Sequence, residues 1–188
     1  MAYTKDQLVS ALFAAADRYG IDRDVAYYQI NRESGFNPMA QSAVAKGIAQ
    51  FTPDTAARFG LKDPFDPMAS FEAWGQYMRF LLDMFGNRYD LALAGYNSGE
   101  KRAEYANALK EGREINWALL PAGVQNETKP YVETILKQSG YNAGQEPTIS
   151  FDDSTSSGAS PDLSTTAAGF GGLGVIALGV LAFLLLKR

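Results

Sequence analysis

A chain of 188 residues is long enough for one substantial core and an attachment element. Its 17 basic and 21 acidic residues leave a net charge of -4 with no long Lys/Arg run, so no nucleic-acid partner is expected. It has neither Cys nor His, which excludes disulfides, thiol or imidazole catalysis and the common zinc sites, and leaves Asp, Glu and Tyr to carry any chemistry.

Thr4 and Gln7 have the spacing of a capping box, and Leu8, Leu12, Ala15, Ala16 and Tyr19 recur at helical intervals up to a stop at Gly20. Asp6 and Asp17 interrupt the apolar positions, so this stretch reads as a helix of the mature domain rather than a secretory signal. Asp22 caps a second helix, which carries Val25, Ala26 and Ile30 and runs to Glu33. Gly35 and Pro38 then turn the chain away. Thr52-Pro53 and Asp66-Pro67 each place an N-cap before a proline at the first helical position. Phe71, Trp74, Met78, Leu81, Leu82 and Phe85 form one apolar stripe that ends near Gly86, a pattern of core packing rather than of a ligand box.

"YDLALAGY", residues 89–96, leads into Asn97-Ser98-Gly99, and a further helix spans about 102–110. After Pro121, Thr128-Lys129-Pro130 starts a last helix with Tyr131, Val132, Ile135 and Leu136 on its inner face. No region alternates with period two, so residues 1–141 are expected to form an all-α domain. Residues 142–166 are polar and rich in turn formers, and read as a flexible linker. Residues 167–186 form an uncharged apolar run; at about 1.5 Å per residue it matches a hydrocarbon core of roughly 30 Å, the length of a transmembrane helix. Lys187 and Arg188 form a basic tail that favours a cytoplasmic or virion-interior C-terminus.

Four short stretches bear on function. "NRESGFNP" from Asn31 sets Glu33 and Ser34 against a bend. "GIAQFTPDTA", residues 47–56, brings Gln50, Phe51 and a glycine that permits close approach. "AGYNSG", residues 94–99, brings Tyr96 and Asn97; "NETKPYVETI", residues 126–135, brings Glu127 and Tyr131. Taken singly, each has a structural reading: a solvated Glu33, a turn-stabilising Ser34, Gln50 and Asn97 bonded to backbone, Phe51 in the core, and Glu127 at a helix end. Asp22, Asp24 and Asp54 read as capping or first-turn charges, which leaves Glu33 without an evident carboxylate partner of the kind that paired-acid glycosidases use.

In this order the four stretches resemble the soluble lytic transglycosylase catalytic domain, a lysozyme-like family related to goose-type lysozymes. The resemblance covers about residues 5–140. It is carried by Glu33-Ser34, Gly47-Ile48-Ala49-Gln50, Ala94 to Gly99, and Glu127-Thr128-Lys129-Pro130-Tyr131-Val132. The chain departs from the pattern at Val44, Ala49, Gly95 and Glu100-Lys101-Arg102, changes that bear on loop shape and subsites.

The resemblance implies a lysozyme-like all-α domain acting on peptidoglycan glycan strands, at the bond from C1 of N-acetylmuramic acid to N-acetylglucosamine. Glu33 would be the single general acid and then the base toward the muramoyl 6-hydroxyl, leaving a 1,6-anhydro end. Ser34, Gln50, Phe51, Tyr96, Asn97, Glu127 and Tyr131 would contact the sugar or complete the site's polar network, and no cofactor or metal is implied. The alternatives are a goose-type muramidase, or a glycan-binding or structural membrane protein without activity. With the span at 167–186, the expectation is a single-pass protein anchored in a lipid bilayer among virion or envelope partners. A bacteriophage virion membrane is the first placement, and a bacterial inner membrane with a periplasmic catalytic domain the alternative.

Overall fold

The computed structural model describes residues 3–141, all of which fall within one compact unit of the chain. They form α1 (Lys5–Tyr19), α2 (Arg23–Ser34), α3 (Pro53–Arg58), α4 (Pro67–Met84), α5 (Tyr89–Ser98), α6 (Ala103–Glu111) and α7 (Ala122–Ser139), with a 3-10 turn at Trp117–Leu119. The all-α expectation holds for this domain; its β features are the isolated bridges Gln41 to Lys46 and Lys46 to Phe51.

Local chemistry sets most boundaries. Thr4 and Gln7 close the capping box at the start of α1, and Gly20 ends that helix in the left-handed region with φ 61. Asp22 caps α2 by accepting from the Val25 N–H at 2.9 Å, and Gly35 ends it with φ 62. Thr52 and Asp66 cap α3 and α4, each ahead of its proline.

α4 packs against α1 and α5, and α7 against α5 and α2. The stripe on α4 is core as expected: Phe71, Trp74, Met78, Leu81 and Leu82 are buried against Leu12, Leu93 and Ile135. At about 25 cal/mol per Å² of apolar surface, each such side chain contributes roughly 1.5–3 kcal/mol of burial free energy.

The last helix differs from expectation. It starts at Ala122 rather than at Thr128, and Pro130 lies inside it. Val124 and Thr128 share the buried face of Tyr131, Val132 and Ile135, so packing extends the helix through the proline. Pro130 cannot donate to the Asn126 carbonyl, but both residues are exposed, and water can satisfy that oxygen.

The expected C-terminal transmembrane helix is corrected. Among the described residues, no helix is long and apolar enough to cross a membrane. The two longest, α4 and α7, have 18 residues each, but Glu72, Arg79 and Asp83 on one and Glu127, Lys129, Glu133 and Lys137 on the other give them polar faces. The run at 167–186, like the linker at 142–166 and the tail at 187–188, lies outside the described residues. The lipid-bilayer partner and the single-pass membrane localisation drawn from it, in a virion or in a bacterial inner membrane, are withdrawn.

Candidate active site

Glu33 is the penultimate residue of α2, carried to the end of the helix by the Asp22 cap behind it and the Gly35 stop ahead. As a residue it is only half-buried, yet its carboxyl is closely enclosed by protein. Desolvation pushes its pKa up to about 7, against the lowering effects of the Tyr131 hydrogen bond and of Arg32, and with a further push from the charge of Glu127. The Tyr131 hydroxyl donates to Glu33 Oε1 at 2.6 Å. Burial and the neighbouring Glu33 charge hold Tyr131 well above the usual tyrosine range, so it stays a protonated donor.

The loop after α2 is built to present backbone close to this acid. Gly47 has φ 79, and a Cβ there would sit 1.7 Å from the Pro64 carbonyl oxygen, so no side chain fits. The Ser34 hydroxyl donates to the Ile48 carbonyl at 2.7 Å, pinning the loop to the end of α2. Gln50 adopts φ 50 and donates through Nε2 to the carbonyls of Gly47 at 2.9 Å and Ala40 at 3.3 Å. Its amide nitrogen is therefore engaged within the loop. Phe51 is buried; its backbone pairs with Lys46, and its ring meets Tyr96 edge-on at 6.4 Å.

From α5, the Tyr96 hydroxyl donates to the Ala49 carbonyl at 2.7 Å, which ties the loop to a second helix. Burial, then the nearby Glu33 and Tyr77, hold its pKa well above normal. The side-chain oxygen of Asn97 accepts from the Thr128 hydroxyl at 2.6 Å; its amide nitrogen has no partner among the described residues. Asn97, Tyr96, Glu127 and Thr128 line a cavity of about 460 Å³, which continues past Glu100 and Arg102. Glu33 lies off the lining of this cavity and is coupled to it through Glu127, which is exposed on its wall.

The structure thus draws the four stretches together. Glu33 and Tyr131 are in direct contact, Ser34, Gln50 and Phe51 hold the loop, and Tyr96, Asn97 and Glu127 face the cavity. Sequence reading missed the ion pair of Arg58 with Glu100, 2.7 Å long, in which Glu100 also accepts from the Tyr77 hydroxyl at 3.3 Å. No local pattern could link residues from α3, α4 and the end of α5. It also missed Gln29, fully buried one helical turn before Glu33, which accepts from the Trp74 indole N–H at 3.1 Å. The i to i+4 spacing from Gln29 to Glu33 was the available signal.

Residues 10–118 match the family model of the transglycosylase SLT domain, more than half of the chain. Glu127 and Tyr131 lie beyond the matched stretch. The chain is similar to membrane-bound lytic murein transglycosylase D of Escherichia coli K12, 36% identical over 114 residues, covering 57% of this chain and 25% of that protein. It is also similar to the soluble lytic murein transglycosylase of the same strain, 28% identical over 132 residues, covering 63% of this chain and 20% of that one. It spans about a quarter or less of the length of these relatives. Two solved structures share the fold, each at 23% identity. One is an inactive mutant of the lytic transglycosylase Slt of Pseudomonas aeruginosa, with a TM-score of 0.55, covering 69% of this chain and 23% of that one. The other is the 70 kDa soluble lytic transglycosylase of Escherichia coli, with a TM-score of 0.56, covering 74% and 25%. A helical domain with Glu33 at the end of α2 and a family match across the greater part of the chain agree on one assignment: the chain belongs to the transglycosylase SLT domain family.

Proposed function

We propose that this domain is a peptidoglycan lytic transglycosylase that cleaves between N-acetylmuramic acid and N-acetylglucosamine. Family membership and the murein transglycosylase relatives support the reaction class. The observation that carries it to a residue is Glu33, whose pKa of about 7 leaves a large fraction of the acid protonated at neutral pH. An ordinary glutamic acid at about 4.3 would be almost wholly ionised there.

Glu33 gives its proton to the glycosidic oxygen as the bond from that oxygen to C1 of muramic acid breaks. The resulting carboxylate then takes the proton of the muramoyl 6-hydroxyl while its oxygen bonds to C1, which closes the 1,6-anhydro ring and returns the acid to its starting form. The substrate supplies its own nucleophile, so no second carboxylate has to form a covalent bond. Tyr131 stabilises the carboxylate between the two steps by its hydrogen bond to Oε1. Asn97 offers its amide nitrogen to sugar acyl or hydroxyl oxygens, with its side-chain oxygen held by Thr128. Glu127 raises the Glu33 pKa through its charge and serves as a wall of the glycan groove. Gln50, Phe51, Ser34 and Tyr96 act by holding the loop carbonyls of Ile48 and Ala49 near the acid.

Mass spectrometry of purified murein treated with the full chain, beside E33Q, tests this reading. Products ending in 1,6-anhydromuramic acid, absent with E33Q, are expected. Reducing muramic acid ends would assign hydrolysis instead, and cleavage by E33Q at the wild-type rate would remove Glu33 from the mechanism.

A further inference from the structure

We propose that Arg102 is a specificity-determining residue of the cavity, which binds a carboxylate of the substrate and so selects murein over glycans that carry no carboxyl group. This rests on the reading of the domain as a murein-cleaving enzyme. Arg102 lies on the cavity wall, just before α6, within the Glu100-Lys101-Arg102 segment in which the chain departs from the pattern it otherwise resembles. Its Nε donates to the Ser98 carbonyl at 2.9 Å and to the Ser98 hydroxyl at 3.1 Å. That hydroxyl is bonded to the Ala94 carbonyl at 2.8 Å and lies 2.7 Å from the Tyr105 hydroxyl, so α5 and α6 together fix the inner edge of the guanidinium.

An arginine has five N–H donors, and this anchor engages one of them. Nη1 and Nη2 of Arg102 have no partner among the described residues. The other half-buried arginines there, Arg79, Arg88 and Arg113, each hold a carboxylate within 2.7 Å. Taking a guanidinium partly out of water with no anion beside it costs free energy, and a ligand carboxylate fits the open fork through two parallel hydrogen bonds. The cavity wall itself offers no such anion. Glu100 is engaged by Arg58 at 2.7 Å and by the Tyr77 hydroxyl at 3.3 Å, with only 10% of its side chain exposed. Glu127 also lines the cavity, but no ion pair joins it to Arg102, and its charge acts on Glu33 whereas that of Arg102 does not. N-acetylmuramic acid differs from N-acetylglucosamine by a lactyl ether that ends in a carboxyl group. That group is free in peptide-free glycan; in peptide-bearing glycan it is joined to a stem peptide with carboxylates of its own. Both sources present the same pair of oxygens.

Titration calorimetry on the full chain carrying E33Q, to prevent turnover, compares three probes. They are a peptide-free tetrasaccharide of alternating N-acetylglucosamine and N-acetylmuramic acid, the same tetrasaccharide bearing stem peptides, and chitotetraose, which has no carboxyl group. At least one carboxylate probe should bind about tenfold more tightly than chitotetraose, and E33Q/R102Q should bring that ratio close to one. A ratio that falls for the peptide-free probe assigns the lactyl carboxylate; one that falls for the peptide-bearing probe alone assigns the stem peptide. Ratios that R102Q leaves unchanged for both probes overturn the proposal, and an equal weakening of all three probes counts as unchanged. If R102Q does not fold, R102K decides by the same ratio: lysine keeps the charge but has no fork, so a fall of about threefold is expected and an unchanged ratio overturns the proposal. Failure of the parent protein to bind any probe would defeat the murein reading and this assignment with it. Binding whose ratio ignores Arg102 defeats the assignment alone.

Discussion

The Glu33→Gln substitution should stabilise the folded chain, and by an amount that depends on pH. Burial raises the Glu33 pKa from an ordinary 4.5 to about 7, so the native state holds a proton that the unfolded chain releases between those values. Stability contributed by the neutral acid is fully present below about pH 4.5 and is lost as the pH rises through about 7. At about 1.4 kcal/mol per pKa unit, the ionised form costs roughly 3 kcal/mol above pH 8, an upper figure because Glu33 keeps a partly exposed face. Glutamine imitates the neutral acid, can accept from Tyr131 at the same oxygen, and never ionises. Urea unfolding followed by circular dichroism should therefore find E33Q more stable than wild type by about 2–3 kcal/mol at pH 8, with the difference vanishing near pH 4.5. A difference independent of pH, or a wild type more stable at pH 8, would refute the claim that desolvation holds this carboxyl protonated.

Tyr131→Phe removes the donor to Oε1, so the Glu33 pKa should rise further; the alkaline limb of kcat/KM moves to higher pH while the maximum rate falls, as a pH-rate profile would show. Gly47→Ala meets both a φ of 79 and a Cβ 1.7 Å from the Pro64 carbonyl; a loss of about 3 kcal/mol and a melting temperature lower by about 10 °C are expected by calorimetry. Thr128→Val deprives the Asn97 side-chain oxygen of its 2.6 Å donor; with the amide free to rotate, kcat/KM on murein should fall about fivefold at unchanged Glu33 pKa.

Much of the helical framework and its punctuation was legible in the sequence because the causes are local. A threonine three residues before a glutamine, an aspartate or threonine before a proline, and a glycine after the last apolar residue act within one turn of chain, and the ends of α1 and α2 and the starts of α3 and α4 follow them. Where local and distant effects conflict, the reading failed. Pro130 read as a helix start lies inside α7, because the burial of Val124 and Thr128 outweighs one missing backbone hydrogen bond whose acceptor faces water. Trp74 was legible as packing, since its spacing fixes its face; its bond to Gln29 was not, since the partner lies 45 positions away.

By its own order of short motifs, the chain determined which residues are candidates for the site: Glu33-Ser34 at a helix end, Gly47 and Gln50 in a tight loop, Tyr96-Asn97 and Glu127 to Tyr131 on later helices. Only the packing of α7 against α2 and α5 decided that one glutamate among the acidic residues is an acid near neutrality. The cost of charging Glu33 depends on how much water the surrounding helices displace, and on the hydrogen bond that its carboxylate receives from a tyrosine 98 residues away. Both are through-space quantities, and no run of adjacent residues encodes them.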